Sequence, residues 1–330
     1  MAIELKKKNT FGLLILLLLK IYSNISEFNP YKKVILTVGT FDGIHFGHQK
    51  IIDTIKGVAK EKEGESVVLT FSPHPRTVLF PEGNNLRLIN SLDEKINRFE
   101  KAGIDHLVIY PFTKEFSRIS ALQYVRDFLV KEIKVSTLVI GYDHQFGRNR
   151  EGNFEYLKEL SALYQFEVKE ISAQDINDIN VSSTKIRKAI ENGNISLANN
   201  YLGYSFPLKG RVVEGKKLGN TIGFPTANLI IEDDLKIIPK IGAYAVYMYW
   251  NSKKYSGMLN IGVNPSVSND NNIKIEIHVF EFDKNLYGEE IQIEFIERLR
   301  DEKKFTSMEE LKIQLSIDKE NAQQRLGGNK

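Results

Sequence analysis

Two histidines stand three apart in GTFDGIHFGHQ, residues 39–49, in a chain that has six in all. His45 and His48 follow the apolar run VILTV and precede Ile51, Ile52, Ile55, Val58 and Ala59, which recur at helical spacing. The pair therefore falls at a strand-to-helix junction. A helix N-terminus presents free N–H donors and a partial positive charge, and both attract phosphate. Gly47 removes a side chain where a ligand would approach the backbone. Two imidazoles can hydrogen-bond phosphate oxygens and stabilise charge that develops there. These are the parts for phosphoryl or nucleotidyl transfer. A metal pair is the competing chemistry, with no obvious third ligand nearby, and a purely structural pair is the plain alternative.

A second set of candidates lies far downstream. GRVVEGKKLGNTIGFPTANL, residues 210–229, carries Gly210, Gly215, Gly219 and Gly223, as a loop approaching phosphate would, although glycine spacing alone is weak evidence. Thr226 and Asn228 follow within FPTAN. In KIEIHVFEF, Glu276 and His278 alternate with Ile275, Ile277 and Val279, so the glutamate shares a polar face with the histidine. That face either meets solvent or lines a site.

The elements that must position these groups divide the chain. VILTV, SVVLTF (66–71), HLVIY (106–110), TLVIGY (137–142) and FEVKEI (166–171) read as strands alternating with helical patterns. Ser120 caps one such helix, with Leu122, Val125, Phe128 and Leu129 as its apolar face. Near-continuous apolar strands between helices predict a mostly parallel sheet covered on both faces, which binds ligands at its strands' carboxyl ends. The pattern changes at YSFPLKG, residues 204–210. RVV, AYAVYMYW, KIEIHVFEF and IQIEF are short strands separated by turn residues, as in a closed or nearly closed barrel. Ser307 and Glu310 predict a capping box opening a last helix, with Met308, Leu311 and Leu315 on its apolar face.

At 330 residues two domains are expected. The chain is 42% hydrophobic and 26% charged, enough apolar material for packed cores. Its 45 basic and 42 acidic residues give a net charge of +3 without a dominant block, which gives no support to nucleic-acid binding. The absence of cysteine excludes disulfides, thiolate metal sites and cysteine nucleophiles, and is compatible with a cytoplasmic location. Lys6, Lys7 and Lys8 precede FGLLILLLL, residues 11–19, which is too short for an ordinary transmembrane helix. The run fits a signal-peptide core better, but KIYSNISEF follows without a small-residue cleavage site. An anchor, a buried or disordered leader, and an upstream start before a domain beginning near Lys20 are the three accounts of it.

The motif string is recognisable. G-x-F-D-G-x-H-x-G-H resembles the signature of HxGH nucleotidyltransferases, and specifically of bacterial-type FAD synthetase. TFSPHP (70–75), GYDHQFG (141–147) and SSTKIR (182–187) resemble that family's later motifs, in order. FPTAN, with GMLNIGVNPSV (257–267), IEIHVFEFDKNLYG (275–288) and RLRDEKKF (298–305), is similar to the riboflavin kinase family. The likeness spans roughly residues 25–325. It implies a Rossmann-like α/β nucleotidyltransferase domain of the HxGH type, then a β-barrel riboflavin kinase domain with a C-terminal helix. The expected divisions are 1–24 as a leader, 25–203 for FMN adenylyltransferase and 204–330 for riboflavin kinase.

By that resemblance, His45 and His48 contact the ATP phosphates and stabilise the transition state at the α-phosphorus. Thr40 and Asp42 shape the turn. Phe41, Gly47, Ser183 and Thr184 belong to the nucleotide site, and Arg187 binds the departing pyrophosphate. Gly215, Gly219 and Gly223 would face the kinase ATP, Thr226 and Asn228 would hold Mg²⁺, and Glu276 would be the base for the riboflavin 5′-hydroxyl. Asn220, and Asn264 with Pro265 and Ser266, depart from the common family pattern. The implied substrates are riboflavin, FMN and ATP, with FAD as product, no nucleic-acid partner and no stated oligomeric state. The alternatives are a flavin-binding protein retaining only one activity, an adenylyltransferase acting on a pantetheine or nicotinate nucleotide, and a membrane-attached protein using residues 11–19.

Overall fold

The computed structural model of the protein describes residues 19–82, 85–172, 181–215, 219, 222–263 and 273–327. Residues 11–18 of the apolar run, Asn220, Asn264, Pro265 and Ser266 lie outside the described residues.

Six strands form the first sheet: β1 (Lys20–Tyr22), β2 (Val34–Val38), β3 (Glu65–Phe71), β4 (His106–Tyr110), β5 (Val135–Gly141) and β6 (Glu167–Ile171). Their order is β1-β4-β3-β2-β5-β6 and every pairing is parallel. All five residues of β2 are buried, as a central strand covered on both faces requires. The chain leaves β2 toward β3 and β4 on one side and returns to β5 and β6 on the other. The carboxyl end of β2 is thus a topological switch point, where such sheets open a crevice. Strand β1, unremarkable in the sequence, adds an edge beside β4.

Helix α1 (Phe46–Glu61) leaves that switch point and buries Ile52, Ile55, Val58 and Ala59 on one side of the sheet. Helix α2 (Pro75–Leu79) follows β3, and α3 (Leu92–Ala102) opens with a Ser91–Glu94 capping box and closes on Gly103 in the left-handed region. Ser120 caps α4 (Ala121–Gln123), which continues as a π-helix over Tyr124–Glu132. Val125, Phe128 and Leu129 enter the core as expected, but Leu122 stays 36% exposed at the solvent edge of the first turn. Helix α5 (Phe154–Tyr164) covers the same face.

The second half closes a barrel from β7 (Phe206–Val213), β8 (Ala227–Ile230), β9 (Gly242–Trp250), β10 (Lys253–Val263), β11 (Ile273–Val279) and β12 (Glu290–Arg300), in the order β10-β11-β8-β7-β12-β9. Each pairing is antiparallel. Alternation sends Ile275, Ile277 and Val279 of β11 into the core with Val246, Met248, Leu259, Ile291 and Phe295. The opposite residues, Lys274, Glu276 and His278, therefore face outward. Helix α8 (Met308–Gly327) lies over that exterior, seating Ala322 and Leu326 against Phe224, Ala245, Met258 and Phe280. Its start is half of the expected capping box. Ser307 Oγ accepts from Glu310 N at 3.2 Å, but the Glu310 carboxylate turns to Thr306 N and Oγ at 3.0 Å. Met308 remains 47% exposed.

Helices α6 (Ser183–Glu191) and α7 (Ile195–Leu202) join the halves. Ile186, Ile190, Ile195 and Leu202 belong to the same apolar cluster as the barrel interior. Asn199 reinforces the seam, donating to Phe295 O at 2.9 Å and accepting from Phe206 N at 2.8 Å.

Candidate active sites

His45 is the N-cap residue of α1, with extended backbone and no side-chain cap of its own. The first-turn N–H groups therefore keep their attraction for an anion. The turn leading into the helix is strained. Phe41 (φ 48°), Gly43 (φ 91°) and Ile44 (φ 37°) all adopt positive φ, costly for the aromatic and the β-branched residue. Burial holds them there: Phe41 and Ile44 are each 2% exposed.

The two imidazoles stack at 3.8 Å between centroids, and Phe41 packs 5.1 Å from His48. Burial lowers the His45 pKa from 6.5 to about 4, against the opposing pull of Asp42 and with help from Arg187. His48 lies well below its ordinary value, chiefly from burial, with the charges of His45 and Lys95 adding to it. Both rings are therefore neutral near pH 7. The Nδ1 atoms of both are buried without a hydrogen-bond partner among the described residues, a costly arrangement that a polar ligand relieves.

Asp42 is the hinge of the site. It is 2% exposed, and its Oδ1 accepts from Ile89 N at 2.9 Å and Asn90 N at 3.3 Å. Its Oδ2 meets Arg187 Nη2 at 2.6 Å, while Arg187 Nε donates to Arg87 O at 2.8 Å. Ser182 caps α6, and Ser183 Oγ donates to the Asp42 carbonyl at 2.8 Å. The first and fourth motifs, some 140 residues apart, thus meet at one residue, placing the starts of α1 and α6 together. Gly47 is buried beneath the pair, and Thr184 is exposed on the first turn of α6. His74 caps α2 at the carboxyl end of β3, its pKa lowered to about 4 mainly by burial. His144 lies just beyond β5, also lowered by burial to about 4.

Sequence reasoning missed several members. Lys95 is 6% exposed and donates from Nζ to Thr40 O at 2.8 Å, where Thr70 Oγ1 also reaches at 3.2 Å. Its signal was the i, i+4 relation to the buried Phe99, which places a lysine on the inward face of α3. The Tyr204 hydroxyl lies 2.6 Å from Gly43 O and 3.0 Å from Asn90 Oδ1, and its single proton serves one of them at a time. Nothing local in the sequence marks that tyrosine.

The barrel holds a separate site on its outer face. Pairing aligns Asn228 of β8, Glu276 of β11, Asn260 of β10, Ala243 of β9 and Arg300 of β12 in one lateral row. Glu276, Asn260, Ala243 and Arg300 line a cavity of about 230 Å³ with Thr226, Phe224, Met258, Phe305 and Leu315. One wall is apolar and the row across it is polar, the usual composition of a small-molecule site. Glu276 is paired with Lys274 at 2.7 Å, and His278 Nδ1 lies 2.7 Å from Pro225 O. Helix α8 closes the cavity through Asp318, 2% exposed, which receives Arg300 Nε at 2.9 Å and Nη2 at 2.7 Å.

Thr226, two residues before Asn228, lines the cavity, and Asn228 pairs in register with Glu276. The side-chain oxygens of Thr226 and Asn228 are hard donors that suit Mg²⁺ completed by phosphate and water. Among the described residues no group of three or more His, Cys, Asp or Glu gathers. The glycines have a packing reason. A Cβ on Gly215 would lie 1.8 Å from Asn228 Nδ2, and one on Gly219 would lie 2.1 Å from Phe224 O. Gly223 adopts φ 82°. Gly215 thus lets the backbone pass close to the Asn228 side chain, and Gly219 close to the Phe224 carbonyl.

The comparisons agree with both halves. The family described as FAD synthetase matches residues 28–185, and the family described as riboflavin kinase matches residues 202–326. A bifunctional riboflavin kinase/FMN adenylyltransferase of Listeria monocytogenes is 37% identical over 89% of this chain and 92% of its own. Those of Bacillus subtilis and Escherichia coli are 36% and 32% identical, covering 88% and 92% of this chain and 92% and 96% of theirs. A solved chain from Streptococcus pneumoniae, described as a macrolide-efflux protein, superposes with a TM-score of 0.83 at 29% identity, over 93% of this chain and 99% of that one. Among the described residues no helix is long and apolar enough to cross a membrane. With histidine pair, strained turn and outward glutamate row each lying inside a matched family, the chain belongs to the bifunctional riboflavin kinase/FMN adenylyltransferase family.

Proposed function

We propose that the two reactions of this family run at the two sites just described, with residues 25–203 serving adenylyl transfer and 204–330 serving phosphorylation. In the barrel, Glu276 accepts the proton of the riboflavin 5′-hydroxyl while that oxygen attacks the γ-phosphorus of ATP, giving FMN and ADP. The apolar wall of Phe224, Met258, Phe305 and Leu315 accommodates the flavin ring. Thr226 and Asn228 would hold Mg²⁺, which supplies charge neutralisation between the phosphates.

In the α/β half, a phosphate oxygen of FMN attacks the α-phosphorus of a second ATP, and pyrophosphate departs. Neutral His45 and His48 donate hydrogen bonds to the reacting phosphate, and the first-turn amides of α1 stabilise its added charge. Arg187, oriented by Asp42, receives the leaving pyrophosphate. Ser183 fixes the Asp42 backbone, and Thr184 offers a hydroxyl from the same turn. Neither step calls for a covalent enzyme intermediate, so positioning and charge stabilisation carry the rate. A cytoplasmic site of action belongs to this proposal, because both reactions draw on ATP.

The observation that carries this reading is that each half has its own constellation: the stacked histidines beside Arg187, and the Glu276 row beneath α8. Chromatography of flavins after incubation with riboflavin, ATP and Mg²⁺ tests it. His48→Ala should accumulate FMN and reduce FAD formation by about 100-fold or more. Glu276→Gln should leave riboflavin unconverted yet still adenylate supplied FMN. Loss of both steps in either folded variant would refute the two-site assignment.

A further inference from the structure

The segment Arg87–Asn90 runs between the two halves and is held from both. On one side Arg87 O receives Arg187, and the Ile89 and Asn90 amides hold Asp42. On the other side Leu88 forms a parallel bridge to Lys236, with Leu88 N donating to Leu235 O at 2.6 Å and Ile237 N to Leu88 O at 2.9 Å. Lys236 belongs to the connection between β8 and β9 of the barrel half. It is 3% exposed, and its ammonium donates to Ile89 O at 2.6 Å and to Glu94 Oε2 at 2.5 Å.

We propose that Lys236, supplied by the kinase half, is a positioning residue for adenylyl transfer: it sets the Arg87–Asn90 segment, which orients Asp42 and through it Arg187. The inference rests on the assignment of adenylyl transfer to the His45–His48 site. The bonds of Lys236 to Ile89 O and of Ile89 N to Asp42 join buried groups, and the last link, Arg187 to Arg87 O, reaches the exposed edge of the segment. Glu94 is 7% exposed and its Oε1 already has no partner among the described residues, so loss of the ammonium leaves a buried carboxylate without its cation. The same loss leaves the Ile89 carbonyl without a side-chain donor, on the residue whose N–H holds Asp42. Lys236 lies outside the lining of the kinase cavity, with its ammonium 4.6 Å from the centroid of the Phe206 ring, so the proposed positioning acts on adenylyl transfer.

The test uses the full chain and follows both reactions by initial rates. For Lys236→Met the KM for ATP in the FMN-to-FAD step should rise about tenfold, and the affinity for pyrophosphate in the reverse reaction should fall in parallel. The riboflavin-to-FMN step should keep its kcat and KM. Lys236→Arg, which retains charge and donors, should restore the KM. A purely structural role would instead lower both rates in proportion to folded protein, with each KM unchanged. That result, or an unchanged FMN-to-FAD step, would overturn the proposal. If Lys236→Met does not fold, the Glu94→Gln/Lys236→Met pair removes the buried charge and is judged by the same KM criterion. A wild-type chain that fails to adenylate FMN would sink the site assignment itself. A wild-type chain that adenylates FMN, with an unaltered Lys236→Met, sinks only the role of Lys236.

Discussion

His45 and His48 show how much a residue's type says before its surroundings are known. Their identity and spacing beside a strand end indicated phosphate chemistry. Burial decided their charge, because stacked imidazoles inside a core cannot readily hold two protons. The same burial lowers His74 and His144 to about 4. Between their folded values and the ordinary 6.5 the unfolded chain binds protons that the folded chain does not. Stability is therefore complete above about pH 6.5 and declines as pH falls toward about 4. Thermal unfolding midpoints should drop between about pH 7 and about pH 5, and His144→Gln should shrink that drop. A midpoint indifferent to pH over this range would contradict the neutral-histidine description. Lys95 is the converse case. Its type suggests a solvated helix lysine, and the packing of α3 against the turn at Thr40 brings it inside.

At the scale of elements, β11 was legible because a strand's period of two separates its faces without further information. The alternation placed Glu276 and His278 together, but not which face was interior. Closure of the barrel settled that, sending the isoleucines inward and leaving the glutamate row beneath α8. The helix is clamped there by Arg300 on Asp318, with Gln314 Nε2 also donating to Asp318 at 3.0 Å. Asp318→Ala should cost about 3 kcal/mol of stability, since it strands a largely buried guanidinium. It should also raise the KM for riboflavin while sparing adenylation of supplied FMN. Denaturant unfolding together with the two assays checks this, and an unchanged riboflavin KM would count against α8 as a wall of the flavin site. The short start of α8 shows a smaller limit of local reading, because Glu310 had Thr306 available as well as the predicted Ser307.

At the scale of the whole molecule, the halves share one apolar cluster that runs from Ile186 and Leu202 into the barrel interior. Leu202 is fully buried in it, and its carbonyl accepts from Gln49 Nε2 of α1 at 3.2 Å. Leu202→Ala should cost about 2–5 kcal/mol, and calorimetry should show a single transition displaced downward. The two activities should then be lost at the same lowered temperature. Separate inactivation temperatures would mean that the cluster does not couple the halves.

The alternation of strands and helices in the first half, the helix after VILTV and the change to a β-rich second half follow from the chain itself, because periodicity is a local property, and the family follows from the order of its motifs. The pantetheine or nicotinate adenylyltransferase alternative falls for the same reason, since it leaves the barrel half without a purpose. What tertiary structure alone decided is how distant segments meet. Asp42 joins residues 87–90 to Arg187, Tyr204 reaches back to Gly43, and Lys236 crosses from one half to the other. Tyr204 and Lys236 are ordinary polar residues in their own stretches of sequence, and the Asp42 of the motif gives no sign of its distant partners. Each role comes from burial against a partner roughly 50 to 160 positions away, where water is excluded and an unmet hydrogen bond is costly.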